Sequence, residues 1–191
     1  VKEDHSHRFI EMINNKELKN IDFNVPGDPS SAAFIITAAC LKPGSRLLVK
    51  NILFNKTRIG FIKTLKSMGG NITVINKKYR NNELIADLKV EQKKNLKSTI
   101  LNSNEIPLQI DEIPILSIAA SFAKGLTIFK GLRELTVKES NRLLLINENL
   151  KRIGVKSKIK KYDLYIYGSQ DLKNGAAKIK HQDDHRILMS F

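Results

Sequence analysis

The chain has 191 residues, enough to bury a core, and its 41% hydrophobic and 27% charged content excludes a disordered segment. Its longest apolar runs, Ala32 to Leu41 and Ile113 to Ala123, are too short to cross a bilayer, and no leader pattern opens the chain, so a cytoplasmic protein is expected. The net charge of +14 raises nucleic acid as a partner, but the lysines are scattered, with no basic arm and no interleaved aromatic platform, so neither nucleic acid nor membrane is expected.

In chain order, the first predicted element is a helix from Ser30-Ser31 through Leu41, closed by the turn Lys42-Pro43-Gly44. It holds the lone cysteine, Cys40, expected to be a reduced core thiol. A β-rich stretch, Arg46 to Asn51, leads to a second amphipathic helix that Arg58 opens and Gly69 ends. Strands at Asn71 to Ile75 and Leu84 to Val90 follow. The same layout then returns about 80 residues later. Asp111-Glu112-Ile113-Pro114 opens an apolar helix that ends at Ala123-Lys124-Gly125, and a β-rich stretch runs from Leu126 to Gly131. Lys138-Glu139-Ser140-Asn141-Arg142 opens an amphipathic helix with the stripe Leu143, Ile146, Leu150 and Ile153. Gly154 ends it, and strands at Val155 to Ile159 and Leu164 to Tyr167 follow. A third copy begins at Asp184-His185-Arg186 and breaks off at Phe191.

The unit therefore reads helix, strand, helix, strand, strand, with one further strand leading in. Its first helix is apolar nearly all round and should lie inside, covered by sheet. Units of this kind around a pseudo-threefold bring three helix N-termini together, each with free amides and partial positive charge. Ser30-Ser31, Asp111 and Asp183-Asp184 stand at the equivalent starts, where capping alone would account for them.

Both signs of charge at these starts suit a site that handles small anions and moves protons. Asp111 should stay ionised at a helix mouth and could accept a proton from a hydroxyl; Pro114 suits a first helical turn. Lys138 and Arg142, four apart, would share a helix face and clamp one anion. Glu139 lies three residues before Arg142, where a surface ion pair is the plainer reading. His181 and His185 have weak metal-ligand spacing with no supporting cluster. Arg186 opens a buried helix, where a guanidinium needs an anion.

Four segments carry a resemblance. Val25-Pro26-Gly27-Asp28-Pro29-Ser30-Ser31-Ala32-Ala33-Phe34, Asp111-Glu112-Ile113-Pro114-Ile115-Leu116, Val137-Lys138-Glu139-Ser140-Asn141-Arg142-Leu143 and Asp184-His185-Arg186-Ile187-Leu188-Met189-Ser190-Phe191 resemble the C-terminal half of the EPSP synthase (3-phosphoshikimate 1-carboxyvinyltransferase) family, class II in flavour. The resemblance implies an α/β fold: pseudo-threefold βαβαββ repeats in an inside-out α/β barrel, here incomplete. Residues 1–24 would be the end of a missing first domain and the crossover, and 25–191 the second domain, cut short at its C-terminus. It implies transfer of the enolpyruvyl group of phosphoenolpyruvate to the 5-hydroxyl of shikimate 3-phosphate, through a tetrahedral intermediate, in aromatic amino-acid biosynthesis. No metal or organic cofactor is implied, and the full-length enzyme would be a monomer. Asp111 corresponds to the acid that contacts the shikimate hydroxyls and acts as base. Glu139 corresponds to the acid that exchanges a proton with the methylene carbon. Lys138 lies beside both substrates, Arg142 and Arg186 hold the phosphoenolpyruvate carboxylate, and His185 lies next to them. Ser30 and Ser31 would serve the interdomain hinge and the helix start.

The chain departs from the family in three places. Asn141 stands where an Asp is usual, Lys2-Glu3 replaces a Ser-Arg pair, and the segment from Met12 to Val25 is short. The isolated chain is expected to show no turnover. Two rivals stand beside this reading: the sister enzyme acting on UDP-N-acetylglucosamine, and a basic repeat module binding nucleic acid or an acidic protein.

Overall fold

The computed structural model describes residues 20, 22–169 and 176–191, and the backbone alone at 2–3 and 8–9. There β1 (Lys2–Glu3) and β2 (Arg8–Phe9) pair antiparallel. The resemblance drawn at Asp4-His5, and most of the short Met12–Val25 segment, lie outside the described residues.

The repeat is present twice. The first copy comprises α1 (Pro29–Leu41), β3 (Arg46–Leu53), α2 (Gly60–Ser67), β4 (Asn71–Arg80) and β5 (Glu83–Glu91). The second comprises β6 (Ile100–Leu101), α3 (Ile113–Phe122), β7 (Gly125–Phe129), α4 (Arg142–Arg152), β8 (Lys156–Lys160) and β9 (Asp163–Gly168). A third copy is entered by α5 (His185–Ser190). The two sheets have the same order. In the first, Gly27 bridges Ile52 in parallel, and β3, β5 and β4 follow antiparallel. In the second, β6 runs parallel to β7, and β9 and β8 follow antiparallel. These are open sheets of a mixed α/β fold; the described residues close no barrel.

Local chemistry explains the boundaries. Asn81 and Asn82 turn the β4–β5 hairpin with φ of 48° and 62°, the left-handed pair that a tight hairpin wants. The glycines expected to end the second helix of each unit do so. Gly69 and Gly154 adopt φ of 97° and 84°. The amides of Gly70 and Val155 then donate to the carbonyls of Leu65 and Leu150, a Schellman closure in both copies. The start of α1 differs from expectation, while the cap of α5 is the expected one. Asp28 caps α1, accepting from the Ser30 and Ser31 amides at 3.2 and 2.9 Å, so both serines lie in the first turn. Pro29 at the first position keeps φ helical at no cost in hydrogen bonds. Asp184 caps α5 in the same way, and Asn141 caps α4.

The core lies between the helices and the inner faces of the sheets. α3 packs against α1, α4, α5 and β9 and is buried nearly all round, as its composition demanded. α1 is not: Ser31, Ile35 and Ala38 form an exposed stripe, with Ile35 51% exposed. Leu188 and Met189 of α5 are also exposed. Cys40 is buried, and burial pushes its thiol up to about 11.

The outer face of β8–β9 corrects the expectation that no aromatics interleave with the lysines. Lys156 lies 5.1 Å from the Tyr167 ring centre, Lys158 lies 5.5 and 5.7 Å from Tyr165 and Tyr167, and Lys160 lies 5.6 Å from Tyr165. Cross-strand register makes these pairs: Lys156 faces Tyr167 and Lys158 faces Tyr165. No helix of the described residues is long and apolar enough to cross a membrane.

Candidate active site

The starts of α1, α3 and α5 meet along one rim, and Arg142 binds two of them together. Its side chain is 1% exposed. Nε donates to Asp184 Oδ2 at 2.8 Å, Nη1 to Asp111 Oδ1 at 3.0 Å, and Nη2 to Glu139 Oε2 at 2.5 Å. A guanidinium spreads five donors over a fixed planar fork and so reaches three separate acids; the three donors of a lysine leave from a single atom and do not span that fork. Asp184 is fully buried and uses both oxygens. Oδ2 takes Arg142 and the Ser140 hydroxyl, while Oδ1 takes the amides of Arg186 and Ile187 at the start of α5. Burial pushes its carboxyl upward, but the hydrogen bonds from Arg142 and Ser140 outweigh that and hold it below the ordinary 3.8. Arg142 is raised in turn: burial disfavours its charge, and Asp184, Glu139 and Asp111 more than restore it.

Asp111 sits at the mouth, with its side chain 36% exposed. Besides Arg142, it faces Arg186 Nη2 at 3.8 Å and Lys138 Nζ at 4.0 Å. It lies in a 3-10 turn, Ile110–Glu112, and caps nothing: Glu112 occupies the cap position of α3 without a side-chain hydrogen bond to the helix. Three cations, not helix amides, therefore face the Asp111 side chain. Lys138 also pairs with Glu134 at 2.7 Å. Lys138 precedes α4 and does not share with Arg142 the helix face that their spacing predicted, yet both reach one anion, Asp111 Oδ1, at 4.0 and 3.0 Å. Nor is the Glu139–Arg142 pair a surface one, since Arg142 is buried; only Glu139, 58% exposed, reaches solvent.

Beside Asp111 lies a cleft of about 70 Å³ lined by Ser30, Thr57, Arg58, Gln109, Asp111 and Glu112, among others. Arg58 Nη2 donates to Asp28 Oδ1 at 3.1 Å and Ser30 Oγ at 3.0 Å, joining the start of α1 to the turn before α2. Glu112 is 4% exposed, and its Oε1 has no hydrogen-bond partner. Leaving such a group unmatched costs about 1–3 kcal/mol. Burial raises its carboxyl above the ordinary 4.5; the nearby Ser30 hydroxyl and Arg186 draw it back, and the Asp111 charge adds to the rise.

Five of the six residues singled out from the sequence come together here: Asp111, Lys138, Glu139, Arg142 and Arg186. His185 does not join them. It is exposed at the first position of α5, and among the described residues its side chain has no hydrogen-bond partner. His181 Nδ1 accepts from the Asp183 amide at 3.1 Å, and no group of three or more candidate metal ligands occurs among the described residues. Sequence reasoning missed Asp184 as a partner of Arg142, and missed Arg58 and Glu112. Nothing local shows which distant residues an arginine will meet.

A family model described as EPSP synthase (3-phosphoshikimate 1-carboxyvinyltransferase) matches residues 1–191. The chain belongs to this family. Among family members, the 3-phosphoshikimate 1-carboxyvinyltransferase of Persephonella marina is 42% identical over 182 residues, covering 95% of this chain and 42% of the relative. That of Petrotoga mobilis is 44% identical over 176 residues, covering 92% and 40%. The solved EPSP synthase of Acinetobacter baumannii superposes with a TM-score of 0.83 at 36% identity, covering 87% of this chain and 38% of that one. The chain thus spans about 40% of the length of its EPSP synthase relatives. Over the matched residues the chain shares the mixed α/β fold of the Acinetobacter baumannii EPSP synthase.

Proposed function

We propose that the full-length protein containing this chain transfers the enolpyruvyl group of phosphoenolpyruvate to the 5-hydroxyl of shikimate 3-phosphate, and that this chain supplies the acid, base and carboxylate-binding half of the site. The observation that carries the reading is the convergence on Asp111. The Asp111 carboxyl at an open rim stands among Arg142, Arg186 and Lys138, with Glu139 one residue from Lys138 and bonded to Arg142.

Asp111 is the group placed to take the proton of the attacking hydroxyl as its oxygen bonds to C2 of phosphoenolpyruvate. Glu139 spends one oxygen on Arg142 and lies half in solvent at the rim, where it protonates the methylene carbon and later takes a proton back from the methyl group as phosphate leaves. The oxocarbenium-like centre formed between those steps is favoured by the surrounding carboxylates. Arg186 is the principal grip on the substrate carboxylate, because its contact with Asp111, at 3.8 Å, is loose and leaves its donors open. Arg142 spends three of its five N–H groups on acids and keeps two for the same task. Lys138 adds positive charge beside both substrates. No step is assigned to a metal or organic cofactor. His185, exposed next to Arg186, has a secondary place at the edge.

The test is made on the full-length protein. Asp111→Asn should lower formation of the enolpyruvyl product by about 10²–10⁴-fold, the usual worth of a positioned base. Unchanged product formation in that variant would sink the reading. Offering UDP-N-acetylglucosamine in place of shikimate 3-phosphate should give no product.

A further inference from the structure

Glu112 has no part in the roles above, yet it is the one described carboxyl that is both 96% buried and short of a partner at one oxygen. It lines the same small cleft as Asp111. The groups that face it come from every element packed there: Asp111 from its own turn, Arg186 from α5, Ser30 from α1, and Arg58 from the segment before α2. A purely structural glutamate in such a place would have both oxygens matched.

We propose that Glu112 is a positioning residue of the enolpyruvyl transfer, which relieves Asp111 of the proton drawn from the acceptor hydroxyl. The inference rests on the reading of Asp111 as base. As the new C–O bond forms, the hydroxyl O–H bond breaks and its proton passes to Asp111. The proton then moves from Asp111 to Glu112 Oε1, so Asp111 is again a carboxylate and Glu112 a neutral acid. It returns by the same path and leaves on the departing phosphate, which restores both groups. Burial and the neighbouring Asp111 charge make Glu112 readier than an ordinary glutamate to hold a proton, while Arg186 and Arg58 keep the ionised form accessible.

Glu112→Gln in the full-length enzyme keeps the shape of the side chain but cannot take the proton. It should lower kcat about 10–100-fold, leave the KM for phosphoenolpyruvate within about threefold, and remove one ionisation from the acid limb of the pH–kcat profile. Glu112→Asp should restore part of the rate and the lost ionisation. Both variants should melt close to the parent. A carbon-detected NMR titration of the Glu112 carboxyl should give a midpoint above the ordinary 4.5. A Glu112→Gln enzyme with the parental kcat and pH profile overturns the proposal. So does a loss in that variant that is accompanied by a fall in melting temperature and not recovered by Glu112→Asp. If Asp111→Asn is inactive while Glu112→Gln is normal, the relay alone fails. If Asp111→Asn is fully active, the reading of the base fails and the relay with it.

Discussion

At the scale of single residues, Arg142 decides the most. It is buried, and each of its three nitrogens meets a different acid, from a different stretch of chain. Removing one partner of such a group strands charge in the interior, which typically costs about 3–5 kcal/mol. Arg142→Met should therefore lower stability by about that amount in denaturant unfolding. Arg142→Lys should recover only part of it, because one ammonium cannot hold Asp184 and Asp111 in the same fork. Asp184 makes the same point through pH. Its folded carboxyl titrates below the ordinary 3.8, so it binds a proton less readily in the native state than in the unfolded chain. The stability it contributes is present above that ordinary value and is lost as pH falls through the lowered one. Asp184→Asn should therefore melt lower than the parent at neutral pH, and the gap should narrow as both are taken into acid. Glu112 has the opposite sign: raised in the fold, it favours folding towards low pH and opposes it as pH rises from 4.5 through its folded value.

At the scale of elements, two kinds of position carry testable weight. Helix starts are fixed by caps, and replacing Asp28 by Ala removes acceptors for two amides and the partner of Arg58. A loss of about 1 kcal/mol is expected in thermal unfolding. Strand ends are fixed by close approach. At Gly168 an added Cβ would lie 2.0 Å from the Ala123 carbonyl oxygen and 2.2 Å from that of Ala120, where β9 runs against the end of α3. Gly168→Ala should push β9 away from α3 and lower the melting temperature more than alanine at Gly154, whose added Cβ meets nothing within 4 Å. Much of this level was legible in the sequence. The repeat placed the helices and strands of both copies, and the glycines at 69 and 154 marked helix ends because only a left-handed residue closes a Schellman turn. Other local choices were not legible. Lys138 and Arg142 have helical spacing, yet the helix begins only at Arg142 because Asn141 caps it, so the spacing did not place them on one face.

At the scale of the whole molecule, the described rim pairs almost every cation with an acid. Lys138, Arg142 and Arg186 all face Asp111. The two phosphorylated substrates proposed above need further positive groups, and the relatives are more than twice as long as this chain. The 191-residue chain given both substrates should release no phosphate in a coupled assay; saturable release would contradict the division of labour proposed here. The net charge of +14 and the Lys–Tyr face of β8–β9 give the rival module its best footing. Binding to unrelated duplexes with a steep salt dependence, unchanged by Asp111→Asn, would favour that rival.

The sequence by itself determined the repeat, the buried character of the first helix in the second unit, and the family to which the four motifs point. Periodicity, turn chemistry and capping act over a few residues and leave their mark in order along the chain. The tertiary structure alone decided which acids Arg142 would meet, that Asp111 would be held by three cations and not by helix amides, that α1 would keep an exposed stripe, and that Glu112 would be buried with one oxygen unmatched. Those outcomes depend on segments 30 to 42 residues apart being brought within about 3 Å, and contacts between distant segments follow from packing of the whole fold, not from local pattern.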